Sequence, residues 1–270
     1  MYLTDFHVHS DISFDCPAPM ADMARAEAAA GIQTLCFTNH CDPVRWQDDQ
    51  YNPHCRTVVR EEVRQIAALR PLIPELEILV GLELAEGCRI PELTYELASD
   101  PDLDFVLGSL HTLTGIGDFY LQTYSAKAQC DCYFDLYLDE LQRIADMDFY
   151  DVLAHVGYVR RYMWRSGVDA SLSLEKFGER IERLFRTVIS KGKGLELNCS
   201  GLRDGCGAFP DEALLRFYRQ LGGEIITVGS DAHTPATAAA CVREGYDLLR
   251  ECGFSYVCLF RKHTPEFIKL

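Results

Sequence analysis

Eight short β-type runs recur along this chain with amphipathic helical stretches between them, and that alternation restricts the fold more than any other feature. The runs are "YLTDFHVH" (2–9), "IQTLCFTNH" (32–40), "LEILVGLELA" (76–85), "DFVLGSLH" (104–111), "DVLAHVG" (151–157), "GLELNCS" (194–200), "GEIITVGSDAH" (223–233) and "SYVCLF" (255–260). Helical periodicity predicts helices over Met20–Ala30, closed by Gly31, and over Arg56–Leu69, ended at Pro71. It predicts two more over Leu174–Ser190, ended at Gly192, and Pro210–Leu221, ended by Gly222 and Gly223. Apolar strands each followed by a helix imply a parallel sheet covered on its faces, either an open doubly wound sheet or a closed β/α barrel. With no internal repeat or linker-like stretch, one domain over residues 1–270 is expected.

The polar residues decide between the two architectures. A barrel gathers its chemistry at the carboxyl ends of many strands, whereas an open sheet concentrates it at one crevice. Here nearly every strand ends in a metal-ligand residue. His7 and His9 end the first run, and strand alternation points both to one face. Asp15 follows in the adjoining loop; His40, Glu83, His111 and His155 lie at or near the ends of the next four runs, and "GSDAH" supplies Asp231 and His233. One such histidine alone is more often a hydrogen-bonded core or surface residue than a ligand. The joint placement carries the weight, because only His54 and His263 fall outside the set and read as surface histidines. Nine ligand groups exceed what one or two ions take, so three divalent ions are expected, and imidazole plus carboxylate without thiolate suits Zn, Fe or Mn.

Composition removes several partners. The formal charge of −15 and the lack of a basic run argue against nucleic acid. No apolar run approaches membrane-spanning length and no signal peptide is recognisable, so a cytoplasmic protein with no membrane partner is expected. The twelve cysteines are scattered without a C-x-x-C and read as small buried hydrophobes in a reducing compartment. The "EEVRQ" charges at 61–65 read as a solvated helix face. Three divalent ions against three carboxylates would leave a surplus of positive charge, a locally cationic pocket suited to a phosphate dianion, hence a small-molecule phosphate ester as partner.

The motifs "HVHS", "FTNH", "GLE", "GSLH", "AHVG" and "GSDAH", in this order, resemble those of the polymerase and histidinol phosphatase (PHP) family from about residue 3 to residue 245. Within it, "DVLAHVGYVRRY" (151–162) and "LNCSGLR" (197–203) resemble the monofunctional histidinol phosphatases. The resemblance implies an α/β fold, a distorted (β/α)7 barrel, with the run near residue 256 outside the ring. It implies one ion held by His7, His9, Glu83 and Asp231, a second by Glu83, His111 and His155, and a third by Asp15, His40 and His233, Glu83 bridging. One departure is Gly157, where related phosphatases often carry an Asp two residues after the strand-end histidine.

The implied activity is metal-dependent hydrolysis of L-histidinol phosphate to L-histidinol and phosphate, with a hydroxide between two ions as nucleophile. Arg160, Arg161, Ser200 and Arg203, on rim loops, are the candidate substrate contacts; Asp231, His233, Arg160 and Arg203 are the candidate catalytic groups, His233 also as proton donor to the leaving alkoxide. Phe14, Asp42, Asp118 and Tyr120 lie on loops that could meet the histidinol moiety. Competing readings are a phosphoesterase for another small ester or nucleotide, an amidohydrolase-type metal hydrolase, and a noncatalytic metal-binding protein.

Overall fold

The computed structural model describes residues 1–45, 48, 50–168 and 170–270. In chain order the strands are β1 (Thr4–Val8), β2 (Thr34–Phe37), β3 (His40–Cys41), β4 (Glu77–Ala85), β5 (Phe105–Ser109), β6 (Thr112–Leu113), β7 (Gly117–Asp118), β8 (Val152–Leu153), β9 (Gly194–Asn198), β10 (Ile226–Gly229), β11 (Tyr256–Arg261) and β12 (Thr264–Lys269). The helices are α1 (Met20–Ala30), α2 (Cys55–Leu69), α3 (Pro91–Ala98), α4 (Lys127–Ala145), α5 (Arg160–Arg165), α6 (Leu174–Ser190), α7 (Ser200–Asp204), α8 (Glu212–Gln220) and α9 (Val242–Glu251).

Seven parallel strands run in the order β1-β2-β4-β5-β8-β9-β10, and β3 extends the rim beside β4 with His40 opposite Glu83. The ring closes between its first and last strands at their carboxyl ends, where Asp231 N donates to His7 O at 2.8 Å and His9 N to Ala232 O at 3.0 Å. This is the nearly closed seven-stranded β/α barrel that the polar strand ends and the resemblance predict.

The helix limits follow local chemistry. Gly31 closes α1 with φ 91°, a conformation a side chain resists. Ser173 caps α6 by accepting from Lys176 N, and Asp211 caps α8 by accepting from Leu214 N at 3.1 Å. The α8 cap moves the helix start from the expected Pro210 to Glu212, since a capping residue is itself non-helical.

Phe6, Leu79, Phe105 and Val152 fill the barrel below the rim, and Cys258, Leu259 and Phe260 of β11 join that cluster from outside the ring. Phe105 meets Phe6 and Phe260 at centroid distances of 5.1 Å each. β11 pairs with β12 alone among the described strands, so the eighth run is a hairpin packed on the barrel and not a barrel stave. No helix of the described residues is long and apolar enough to cross a membrane.

Candidate metal centre and substrate cavity

All nine ligand-type residues meet at the carboxyl end of the barrel. His7 Nε2 lies 3.4 Å from Glu83 Oε2 and 3.7 Å from Asp231 Oδ1, and His9 Nε2 lies 3.6 Å and 3.5 Å from the same two atoms. These spacings decide what the atoms are for. Two ligand atoms each about 2.1 Å from one ion at the tetrahedral angle stand roughly 3.4 Å apart. A hydrogen bond would need about 2.9 Å. Four ligand pairs at ion-sharing separation, with His7 Nε2, His9 Nε2 and Glu83 Oε2 buried and lacking hydrogen-bond partners, fit a divalent cation.

Glu83 is the hub. Its Oε1 accepts from Ser109 Oγ at 2.9 Å and faces His111 Nε2 at 3.0 Å and His155 Nε2 at 2.9 Å, while His40 Nδ1 approaches Oε2 at 2.8 Å. Burial would raise the Glu83 carboxyl pKa, yet the imidazoles of His111, His7 and His40 hold it well below the usual carboxylate range. At the mouth, Asp15 Oδ2 stands 3.5 Å from His40 Nε2 and 3.2 Å from His233 Nε2. Burial raises the Asp15 carboxyl, but hydrogen bonds to those two histidines depress it strongly. Groups able to hold a metal are His7–His9–Asp231, His7–Glu83–His155, His40–Glu83–His111 and His9–His40–His233. The first repeats part of the expected partition, the second and third gather around Glu83, and the fourth joins His9 to His40 and His233 without it; a fifth, Asp42–Glu86–His111, extends the set into the cavity.

Partners behind the ligands are what sequence reading missed. Glu196 Oε1 accepts from His7 Nδ1 at 2.7 Å and its Oε2 from the backbone N–H of His155 at 2.8 Å, so one carboxylate aims the His7 ring and anchors the backbone that carries His155. A Cβ at Gly229 would overlap both Glu196 and His7, which is why that contact needs glycine. The signal for Glu196 is its place as the one charge in the apolar strand "GLELN". His155 and Asp231 hold left-handed backbone, φ 27° and 57°, strain that places both side chains at the rim.

A cavity of about 410 Å³ opens above the cluster. Phe14, Asp42, Asp118 and Tyr120, all expected near a substrate, line it, together with Glu86, Tyr158, Arg161 and Tyr162. Three expected contacts need correction. Arg160 turns away to Asp211 Oδ2 (3.3 Å) and Ala208 O (3.2 Å), and Arg203 donates to Ser230 O at 3.2 Å; neither lines the cavity. Ser200 is buried behind the wall, donating to Asp231 Oδ2 at 3.2 Å and meeting Arg161 Nη2, so it braces both groups. Arg161 alone of the three arginines reaches the cavity, 3.7 Å from Asp231 Oδ2. Glu62, expected in solvent, is fully buried. His54 and His263 lie outside the cavity lining.

Comparison with known proteins adds findings of three kinds. A family model described as PHP domain matches residues 5–200. A histidinol-phosphatase of Lactococcus lactis is 26% identical over 262 residues, covering 95% of this chain and 93% of the relative; a probable histidinol-phosphatase of Thermotoga maritima is 23% identical over 95% of each. The crystal structure of the Lactococcus lactis histidinol phosphate phosphatase, complexed with zinc, L-histidinol and phosphate, superposes with TM-score 0.78 at 25% identity over 98% of each chain. A putative histidinol phosphatase from Listeria monocytogenes shares the fold, with TM-score 0.73 at 14% identity over 89% of this chain and 99% of that one.

Proposed function

Because the chain belongs to the PHP domain family, we propose that it is a metal-dependent phosphomonoesterase that hydrolyses L-histidinol phosphate to L-histidinol and phosphate, as a single 1–270 domain working in the cytoplasm. The observation that carries the reading is the set of four spacings of 3.4–3.7 Å between the two HxH rings and the Glu83 and Asp231 carboxylates, buried beneath a cavity that also presents an arginine. The histidinol-phosphatase names of the relatives supply the substrate.

His7, His9, Glu83 and Asp231 would hold one divalent ion, Glu83, His111 and His155 a second, and Asp15, His40 and His233 a third. Zinc suits the nitrogen and oxygen donors and is the ion of the Lactococcus lactis complex. Bound ions would activate water and neutralise charge on the phosphoryl oxygens.

The side chains do the rest. Arg161, anchored by Asp204 at 3.4 Å, presents its guanidinium to the phosphate dianion. Asp42, Glu86 and Asp118 form an acidic end of the same cavity and receive the histidinol ammonium, with Asp42 Oδ1 buried and lacking a hydrogen-bond partner. Phe14 and Tyr120 flank the imidazole. His233 Nδ1 donates to the Asp231 carbonyl at 3.0 Å, which sets the ring with Nε2 toward Asp15 Oδ2 at 3.2 Å, and in that pose His233 would serve as an ion ligand in preference to a proton donor.

The test is phosphate release from L-histidinol phosphate, p-nitrophenyl phosphate and nucleoside monophosphates by zinc-loaded protein. The reading expects the highest kcat/KM with L-histidinol phosphate; preference for a nucleotide would sink it.

A further inference from the structure

Behind the metal centre lies a buried chain of hydrogen bonds that starts on a helix and ends on a ligand ring. The buried stripe of α2 runs Cys55, Val58, Val59, Glu62, Ile66 and Leu69, with Glu62 its one carboxyl. Glu62 Oε1 accepts from Asn39 N at 3.1 Å and from Asn39 Nδ2. Ser10 N donates to Asn39 Oδ1 at 2.7 Å, and because a backbone N–H can only donate, the amide oxygen faces Ser10 and the amide nitrogen faces Glu62, which holds that end in place.

The remaining protons follow in order. Asn39 Oδ1, which can only accept, has Ser10 Oγ and Ser13 Oγ each at 3.0 Å, and because two oxygens at that separation need a hydrogen between them, the Ser13 proton points there. The same oxygen accepts from His40 N at 3.0 Å. Its third contact is His9 Nδ1 at 3.0 Å, and with the hydroxyl proton already committed, that nitrogen must carry the hydrogen. His9 Nε2 is then a bare lone pair. It faces Glu83 Oε2 and Asp231 Oδ1 at 3.6 and 3.5 Å, where the two carboxylates on their own would favour a proton.

We propose that Glu62 is a positioning residue that acts through Asn39 and Ser13 to fix His9 in its Nδ1–H tautomer, keeping the Nε2 lone pair aimed at the cation position before any ion arrives. The function assigned to that lone pair rests on the metal-centre reading above; the tautomer does not. A ring held this way need not move a proton to bind a cation. The chain also ties the backbone of the next ligand, His40, to the same serine, so one helix residue aligns two strand ends.

The experiment uses full-length protein with ¹⁵N-labelled histidine, purified with its ions and then stripped by chelation, with His9 assigned by the signal lost in His9→Gln. Long-range ¹H–¹⁵N spectra of the stripped wild type should report an Nδ1–H, Nε2-bare ring. Ser13→Ala should convert it to the Nε2–H form and weaken zinc binding, measured by competition with a chelating dye, about 10- to 100-fold. Glu62→Leu should move both readouts in the same direction, while Glu62→Gln, whose amide oxygen can accept the same two hydrogens, should restore them. An Nε2–H or doubly protonated His9 in the stripped wild type, or an unchanged tautomer in Ser13→Ala, would overturn the proposal; the wild-type spectrum decides even if a variant fails to fold. Loss of the histidinol phosphate activity assignment with the tautomer intact would remove the function and leave this inference standing.

Discussion

The ligand ring has a closed wall and an open one. On the closed wall His7, His9 and Glu83 are buried; His7 Nδ1 is tied to Glu196, His9 Nδ1 to Ser13, and Glu83 Oε1 to Ser109. On the open wall the Asp15 side chain is 40% exposed and that of His233 27%, beside Phe14 and Tyr120, which are both exposed. The contrast teaches where rigidity is needed. Burying an unpaired carboxylate costs on the order of several kcal/mol, so the closed wall holds together through mutual compensation, which the proposed cation would complete. The open wall is solvated, as the proposed entry of an ion and a substrate would require.

Breaking the closed wall gives the largest expected effect. Glu83 faces five imidazoles, so Glu83→Gln should lose at least one ion by metal analysis and lower kcat/KM for L-histidinol phosphate about a thousandfold or more. Near-normal activity with full ion content would mean that the carboxylate is not the hub. Asp15→Asn attacks the open wall and should do less: one ion equivalent should dissociate ahead of the others during titration with a chelator, with activity falling about 10- to 100-fold. Loss of all ions together would erase the distinction between the walls.

The arginines sharpen the comparison at smaller scale. Arg161→Ala removes the one guanidinium that the described residues present to the cavity and should reduce kcat/KM about tenfold to a hundredfold, for p-nitrophenyl phosphate as well as L-histidinol phosphate, because both present the same dianion. Arg160→Ala removes a contact with Asp211 and the Ala208 carbonyl and should leave turnover within a factor of about two. Equal losses in the two variants would return Arg160 to the site.

How much of this the sequence discloses depends on what each feature requires. Strand ends are local, and HxH at period two marks its own face, so the gathering of nine ligand-type residues at one rim and the barrel itself can be read before any fold is known. Glu196 cannot be placed that way: it meets His7 across 189 residues, a contact that exists only once the ring has closed. Arg160 and Arg161 are neighbours, and the phase of α5 sends one behind the 207–211 loop and the other into the cavity. Each residue advances a helix by about 100°, and nothing in "VRRY" fixes the starting angle. Glu62 differs again, because its helical spacing from Val58, Val59 and Ile66 already places it on the buried stripe of α2. The charges of its neighbours, Glu61 and Arg64, which are exposed and paired with each other, conceal it.

That hidden carboxyl yields an effect on stability in place of turnover, and the most specific one. Burial raises the Glu62 pKa from 4.5 to about 8, with the Asn39 hydrogen bonds opposing the shift. In the folded protein the group keeps its proton up to about pH 8, whereas in the unfolded chain it releases it near 4.5, so between those values the folded state binds more protons and its stability declines as pH rises. The contribution is whole below pH 4.5, falls by at most about 1.4 kcal/mol per pH unit across the window, and is constant above it. Glu62→Gln keeps the acceptor for Asn39 and removes the titration. Denaturant unfolding of both proteins at matched ion content should therefore show the variant gaining on the wild type from pH 5 to pH 8, with the gap levelling off beyond. A gap that does not change with pH would mean that Glu62 is ionised throughout, and the closed wall would then hold a charge that the hydrogen bonds of Asn39 must fully compensate.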